Sequence, residues 1–67
     1  MKFAKRLKEL RKWENISQVQ LAKATGINPR QISKYEKNQT EPTISALIAI
    51  AKYFGETTDY LLGLSDF

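Results

Sequence analysis

One side of a predicted helix near the middle of the chain carries three cations and no anion. At about 100° per residue, the side chains that share this side are Arg30, Ser33, Lys34 and Lys37. Arginine and lysine donate hydrogen bonds to guanine O6 and N7 in the DNA major groove, and they also bind phosphates. The pattern therefore favours contact with a nucleic acid, and the alternative is the solvated face of an ordinary amphipathic helix.

The same helix contains one acidic residue, Glu36, which the helical period places beside Ile32 and Tyr35 on the inward side. A buried carboxylate is costly unless it has a partner. Arg11 lies next to Leu7 on the first predicted helix, and we expect it to form a partly buried, bidentate salt bridge with Glu36. The alternative is that Glu36 is exposed and pairs with nothing.

Helix start and stop signals predict an all-α fold of five helices. Asn15 suits the left-handed position that ends the first helix, and Gly26 suits the same position after the second. Ser17 and Asn28 are good N-caps, and Pro29 fits the first position of a helix. Thr43 is the expected cap of the fourth helix, and Thr57 or Thr58 that of the fifth. The predicted helices are 3–14, 18–24, 29–37, 44–54 and 59–62.

The second and third helices are joined by only a few residues around Gly26, which predicts a helix-turn-helix over about residues 17–37. In such a motif the second of the two helices enters the DNA major groove. Gln18 begins the first of them, where its side chain and the free backbone N–H groups are suited to a phosphate. An ordinary surface glutamine is the alternative.

Charge is unevenly distributed along the chain. Residues 1–37 hold ten Lys and Arg against three Asp and Glu, whereas residues 38–67 hold one against four. A basic half beside an acidic half favours a surface for polyanions built from the first half. Ordinary solvated helix surface is the alternative.

Composition excludes several classes of chemistry. The 67 residues include no cysteine and no histidine, which removes disulfides, thiol chemistry and the commonest general base. Because a nucleotide-binding glycine loop is also absent, we expect no enzyme activity, no metal and no cofactor. No apolar run approaches the roughly 18 residues of a membrane span, and the first ten residues lack a signal-peptide core. We expect one cytoplasmic domain covering residues 1–67.

The fourth predicted helix is apolar on nearly every side, which indicates burial on every side. We expect one part of it to pack against the other helices, through Ile44, Leu47, Ile48, Ala51 and Phe54. The remaining apolar groups are candidates for a homodimer interface: Ile50, Tyr53, Leu64 and Phe67. The alternative is that the fifth helix covers them within the monomer.

Several of these residues recur at spacings that resemble the phage-repressor-type (XRE, or Cro/repressor) helix-turn-helix family. The matching runs are Leu10-Arg11, Ser17-Gln18-x-x-Leu21-Ala22, Gly26-Ile27, Ile32-Ser33-x-Tyr35-Glu36 and Pro42-Thr43. The resemblance covers about residues 3–64 and implies a compact five-helix DNA-binding domain that acts as a dimer on a palindromic operator.

The resemblance also implies roles for particular positions. Gln18 matches a glutamine that contacts phosphate. The positions expected to face bases are Pro29, Arg30, Ser33 and Lys34, and those expected to approach the backbone are Lys37, Asn38 and Gln39; Asn28 joins this set at the helix start. Pro29 departs from the family, because many members place a polar side chain there. Asn38 stands where glycine is usual, and asparagine tolerates the left-handed backbone.

Together these features predict a sequence-specific regulator of transcription that binds double-stranded DNA, most simply a repressor. A second hypothesis is an antitoxin that also binds a toxin protein and regulates its own promoter through the same domain. A third is a helical interaction module that no longer binds DNA. A neutral or acidic third helix would mark that last class, and this chain shows the opposite.

Overall fold

The computed structural model describes residues 2–66, which form five α-helices joined by short loops. The helices are α1 (Phe3–Trp13), α2 (Gln18–Thr25), α3 (Pro29–Glu36), α4 (Ile44–Phe54) and α5 (Thr58–Leu62). They confirm the all-α prediction, with boundaries within a residue or so of those expected. Within residues 2–66, no helix is long and apolar enough to span a bilayer.

Local signals in the sequence determine where most helices begin. The hydroxyl of Ser17 accepts from the backbone N–H of Gln20, and the Gln20 side chain accepts from the N–H of Ser17, which completes a capping box. Asn28, Thr43 and Thr57 cap α3, α4 and α5 through single side-chain oxygens. Each cap satisfies a backbone donor that the first helical turn leaves free.

Two asparagines end helices in the left-handed backbone region, as predicted. Asn15 after α1 has φ of 57°, and Asn38 after α3 has φ of 58°. Asparagine is one of the few residues other than glycine that adopt this region readily. The usual glycine is therefore not required after α3, and the chain can turn there toward the loop before α4.

The five helices surround one core. The α1 helix packs against α3 and α5, α2 packs against α3 and α4, and α4 packs against α5. The buried side chains that pack together in this core are Phe3, Leu7, Leu21, Ala22, Ile32, Tyr35, Ala46, Ile50, Ala51 and Leu61. Phe3 meets Tyr35 edge to face with ring centroids 5.6 Å apart, so an aromatic pair joins the start of α1 to α3.

The orientation predicted for α4 is wrong. Ile50, expected at a dimer interface, is fully buried, whereas Ile44 is 78% exposed and Ile48 is 42% exposed. The buried stripe consists of Ala46, Leu47, Ile50, Ala51 and Phe54. It is rotated by about 60° from the predicted stripe at 100° per residue. Both stripes have helical spacing and consist of apolar residues, so only the packing of the neighbouring helices selects between them.

Of the other groups assigned to a dimer interface, Tyr53 is 43% exposed and Leu64 is 75% exposed. Phe67 lies outside the described residues.

Arg6 joins α1 to α5 and to the residues that follow α5, a role that its sequence context did not indicate. Its side chain is only 11% exposed, and its guanidinium lies 4.3 Å from the centre of the Tyr60 ring. Nη1 donates to the backbone carbonyls of Tyr60 and Ser65, the second at 2.6 Å, and Nη2 lies 3.4 Å from an Asp66 carboxylate oxygen. A charged donor thus ties Tyr60 of α5 and Ser65, which follows that helix, to α1.

Replacing Ile50 with alanine is expected to lower the free energy of unfolding by about 2–5 kcal/mol, because the change opens a cavity in the core. Ile44→Ala on the same helix is the matched control and is expected to change it by less than about 0.5 kcal/mol. Urea unfolding at neutral pH measures both. Equal losses, or a larger loss for Ile44→Ala, would contradict the observed orientation of α4.

Candidate nucleic-acid interface

The rotational setting of α3 is determined by its two buried side chains. Ile32 and Tyr35 are 0% and 2% exposed and anchor one side of the helix in the core. Arg30, Lys34 and Lys37 are exposed on the other side. The packing of α3 therefore turns its cations outward, on the side that the helical period predicts.

The start of α3 is held by a cap and a proline. The Asn28 Oδ1 atom accepts from the backbone N–H of Arg30 at 2.8 Å, and Pro29 occupies the first helical position. Proline costs no hydrogen bond at that position, because the first N–H of a helix has no intrahelical partner. Arg30 thus lies in a well-defined first turn, where helices of this type place their base-contacting side chains.

The turn between α2 and α3 depends on a left-handed residue. Gly26 has φ of 76°, and its N–H donates to the carbonyl of Ala22, which ends α2. Residues 26–28 then carry the chain directly into α3. This is the short connection expected of a helix-turn-helix.

Arg11 and Glu36 form the predicted bidentate salt bridge between α1 and α3. The Nε atom of Arg11 lies 2.6 Å from Oε2 of Glu36, and Nη2 lies 2.9 Å from Oε1. The Glu36 side chain is 4% exposed and that of Arg11 is 14% exposed. Nη1 of Arg11 also donates to the carbonyl of Ile16 at 2.9 Å, so the same guanidinium holds the loop before α2.

Gln18 is a third member of this cluster. Its Nε2 donates to Oε1 of Glu36 at 3.2 Å, which joins the start of α2 to the end of α3. Sequence reasoning did not connect Gln18 to Glu36, which is 18 residues away. An available signal was the capacity of a carboxylate for about four hydrogen bonds, more than the two that Arg11 supplies.

The cluster lowers the pKa of Glu36. Burial is the largest single influence and would raise it, but the hydrogen bonds from Arg11 and Gln18, together with the charges of Arg11 and Lys8, outweigh burial. The pKa of Arg11 is raised, chiefly by its hydrogen bond with Glu36. Both groups are therefore charged at neutral pH, and the only anion of α3 is neutralised by its partner on α1.

The remaining predicted residues lie on α3, in the turn after it or at the start of α2. Ser33 is partly buried, whereas Asn38 and Gln39 are exposed in the turn that follows the helix. Gln18 is partly buried and points toward α3 through its bond with Glu36. The fold thus places Gln18 beside the end of α3, and Asn38 and Gln39 directly after that helix.

Comparison with known proteins agrees with this arrangement. Residues 7–61 match a family described as Helix-turn-helix. The chain belongs to this helix-turn-helix family. Its structure is similar to a crystal structure of the P22 c2 repressor in complex with a synthetic operator. The TM-score is 0.84 and the sequences are 34% identical, covering 88% of this chain and 89% of the repressor chain.

Curated relatives of this helix-turn-helix chain are described as regulators of transcription. The uncharacterized HTH-type transcriptional regulator YobD of Bacillus subtilis is 33% identical over 64 residues, which are 96% of this chain and 57% of that protein. The HTH-type transcriptional activator BcrR of Enterococcus faecalis is 37% identical over 62 residues, 92% of this chain and 30% of that protein. The chain therefore spans less than two thirds of these relatives.

Glu36→Gln is expected to lower the free energy of unfolding of the helix-turn-helix chain by about 2–4 kcal/mol at pH 7, because it leaves Arg11 without its charged partner. The folded-state pKa of Glu36 is lowered, so its contribution is fully present above the unfolded pKa of about 4.3 and is lost as pH falls through the folded value. The gap between the parent and Glu36→Gln should therefore close as the pH falls below about 4.

Urea unfolding of both proteins from neutral to acid pH measures this gap, with Glu41→Gln as a control at an exposed glutamate. The control should track the parent throughout. A gap that widens in acid, or equal losses in the two variants at pH 7, would refute the role of the bridge.

Proposed function

We propose that this chain is a sequence-specific DNA-binding regulator that places α3 in the major groove. The observation that carries the proposal is the charge on the outward side of α3, where Arg30, Lys34 and Lys37 are exposed. The one acidic residue of the helix, Glu36, is turned inward and neutralised by Arg11. A helix whose outward charges are all positive is suited to a groove bordered by phosphates. The likeness to a repressor in complex with its operator supports the same placement.

Within this interface Arg30 reads a base. It is early in α3, and its planar guanidinium matches O6 and N7 of guanine in a two-pronged contact. Lys34 lies one turn later on the same side and contacts an adjacent base or a phosphate. Pro29 offers only apolar contact, whereas Ser33 and the Asn28 amide supply polar groups near the same bases.

Phosphate contacts position the domain around these base contacts. Gln18 approaches one strand from the start of α2, where free backbone N–H groups also face outward. Lys37, Asn38 and Gln39 approach the backbone from the end of α3. The hydrogen bond to Glu36 orients the amide of Gln18. The phosphate contact at α2 therefore keeps a fixed position relative to the base contacts at α3.

Occupation of promoter DNA is sufficient for repression, so the proposed activity requires no catalysis, metal or cofactor. The relatives include a protein described as an activator, and this chain matches 30% of that protein. The P22 c2 repressor chain, in contrast, is matched over 89% of its length. Repression by occupancy is the activity that we propose, because the matched P22 c2 protein is a repressor in complex with an operator.

Replacing Arg30 with alanine is expected to weaken binding to the preferred site by about 1–3 kcal/mol and to relax preference at one base position. Lys37→Gln is the comparison, because a lost phosphate contact weakens all sequences alike. Selection of bound sites from random DNA, followed by affinity measurements on single-base variants, separates the two effects. Unchanged base preference at every position in Arg30→Ala would contradict the assignment.

We propose further that two copies bind together, with Tyr53 and Leu64 among the exposed apolar groups at their contact. Two-fold symmetry would place the recognition helices in successive major grooves about 34 Å apart. The selected sites are then expected to be inverted repeats with half-site centres about 10 base pairs apart. Selected sites without such symmetry, together with sedimentation as a monomer on DNA, would contradict the dimer.

A further inference from the structure

A groove with a volume of about 340 Å³ lies between the end of α1, the end of α4 and α5. Its apolar lining comes from all three helices: Leu10, Trp13, Phe54 and Tyr60. Leu10 and Phe54 are partly buried and pack against the core, whereas Trp13 is 87% exposed. Tryptophan is among the side chains that contribute most to interfaces, because its large apolar body is covered when a partner binds. The largest side chain of the protein is therefore left outside the core, beside a concave apolar surface.

Three carboxylates line the same groove: Glu9, Glu14 and Glu56. The salt bridges within residues 2–66 are those of Arg6 and Arg11, so none of the three carboxylates has a basic partner there. Lys5 and Lys12 are one turn from Glu9 on α1, but neither forms a salt bridge with it and neither lines the groove. Negative charge beside an apolar surface favours a partner that is both cationic and apolar.

The backbone around the groove adds to this negative charge. Trp13 is the last residue of α1 and Phe54 is the last residue of α4, so both helices end at the groove. The carbonyl groups at a helix C-terminus carry a partial negative charge that favours cations. The ring of Tyr60, which also lines the groove, already has the guanidinium of Arg6 4.3 Å from its centre. An aromatic side chain of this region therefore holds a cation within the chain itself.

The groove lies on the side of α1 that is turned away from α3. At 100° per residue, Trp13 and Glu9 are each about 160° from Arg11 around the helix. Arg11 contacts Glu36 on α3, whereas the residues that line the groove belong to α1, α4, α5 and the loop between the last two. A partner in the groove therefore leaves the outward side of α3 uncovered.

We propose that this groove binds a short basic segment of a partner protein. An apolar or aromatic side chain of the segment packs against Trp13, and Lys or Arg side chains beside it pair with Glu9, Glu14 and Glu56. The volume is at the lower end of the range of ligand pockets, about 300–1,000 Å³, which suits a few side chains. Nucleic acid is excluded from this surface, because the carboxylates repel phosphates. The groove thus gives the chain a protein partner in addition to DNA.

The test begins with a phage-displayed pool of short random peptides without tryptophan, selected on the parent protein without DNA. The selected peptides are expected to combine an apolar or aromatic residue with Lys or Arg. The affinity of one of them, synthesised with a fluorescein label, is then measured by anisotropy. Trp13 is the only tryptophan of the chain, so its emission should shift to shorter wavelength when the unlabelled peptide covers it.

Two variants and two matched controls locate the binding site. Trp13→Ala is expected to weaken peptide binding by at least about tenfold, because aromatic anchors carry much of the binding energy of an interface. Glu14→Gln should weaken it by about threefold at low salt, and salt should reduce this difference by screening the pair. Ile44→Ala and Glu41→Gln remove an exposed apolar side chain and an exposed carboxylate away from the groove, and both should keep the parent affinity. All four side chains are exposed, so each variant should keep the parent melting temperature.

Several results would overturn the proposal. They are selection of no peptide, selection of peptides without Lys or Arg, and equal peptide binding by the parent and Trp13→Ala. An emission maximum that shifts with protein concentration alone would assign the groove to a second copy of the chain and would also overturn it. Because DNA is absent from these measurements, failure of the groove leaves the proposed function standing, and failure of DNA binding leaves the groove standing.

Discussion

The carboxylate of Glu36 is almost completely buried at the end of α3, and the relative placement of three helices depends on how that charge is neutralised. Arg11 from α1 supplies two hydrogen bonds, and Gln18 from the start of α2 supplies a third. A buried ion pair often adds little net stability, because desolvation of both charges offsets their attraction. Its geometry is nevertheless demanding, so it selects one arrangement of the helices. A small shift of α3 would leave a buried charge without its partner.

That constraint also decides the sign of the charge on the outward side of α3. Turning Glu36 inward removes the only anion of α3 from the side where Arg30 and Lys34 are exposed. Anchoring the helix through Ile32 and Tyr35 alone would fix its rotation but would leave the position of its end less defined. The bridge adds a directional contact at that end, where α3 approaches α1. Packing and electrostatics thus act on the same helix and give the same orientation.

A domain of this size has little apolar surface to bury, so polar contacts do much to fix the positions of its outer segments. Arg6 illustrates this at the opposite border of α1, where it binds carbonyls at the end of the short α5 helix. One arginine of α1 therefore holds the start of α2 and the end of α3, and the other holds α5.

The sequence by itself determined the features that depend on neighbouring residues. Caps such as Ser17 and Asn28 and the left-handed Asn15 mark helix ends through local backbone chemistry, so five helices could be located before any packing was known. The Arg11–Glu36 pair was also predictable, because an inward carboxylate demands a partner. Only the tertiary structure decided which residues from distant segments meet.

The α4 helix shows this limit most clearly. Its two possible buried stripes are both apolar, and burial of Ile50 instead of Ile44 follows from the positions of the helices that pack against it. The bond between Gln18 and Glu36 and the contacts of Arg6 with the end of α5 have the same origin. Hydrophobicity and charge specify that such groups need partners, and three-dimensional proximity, which local patterns do not encode, specifies which partners they find.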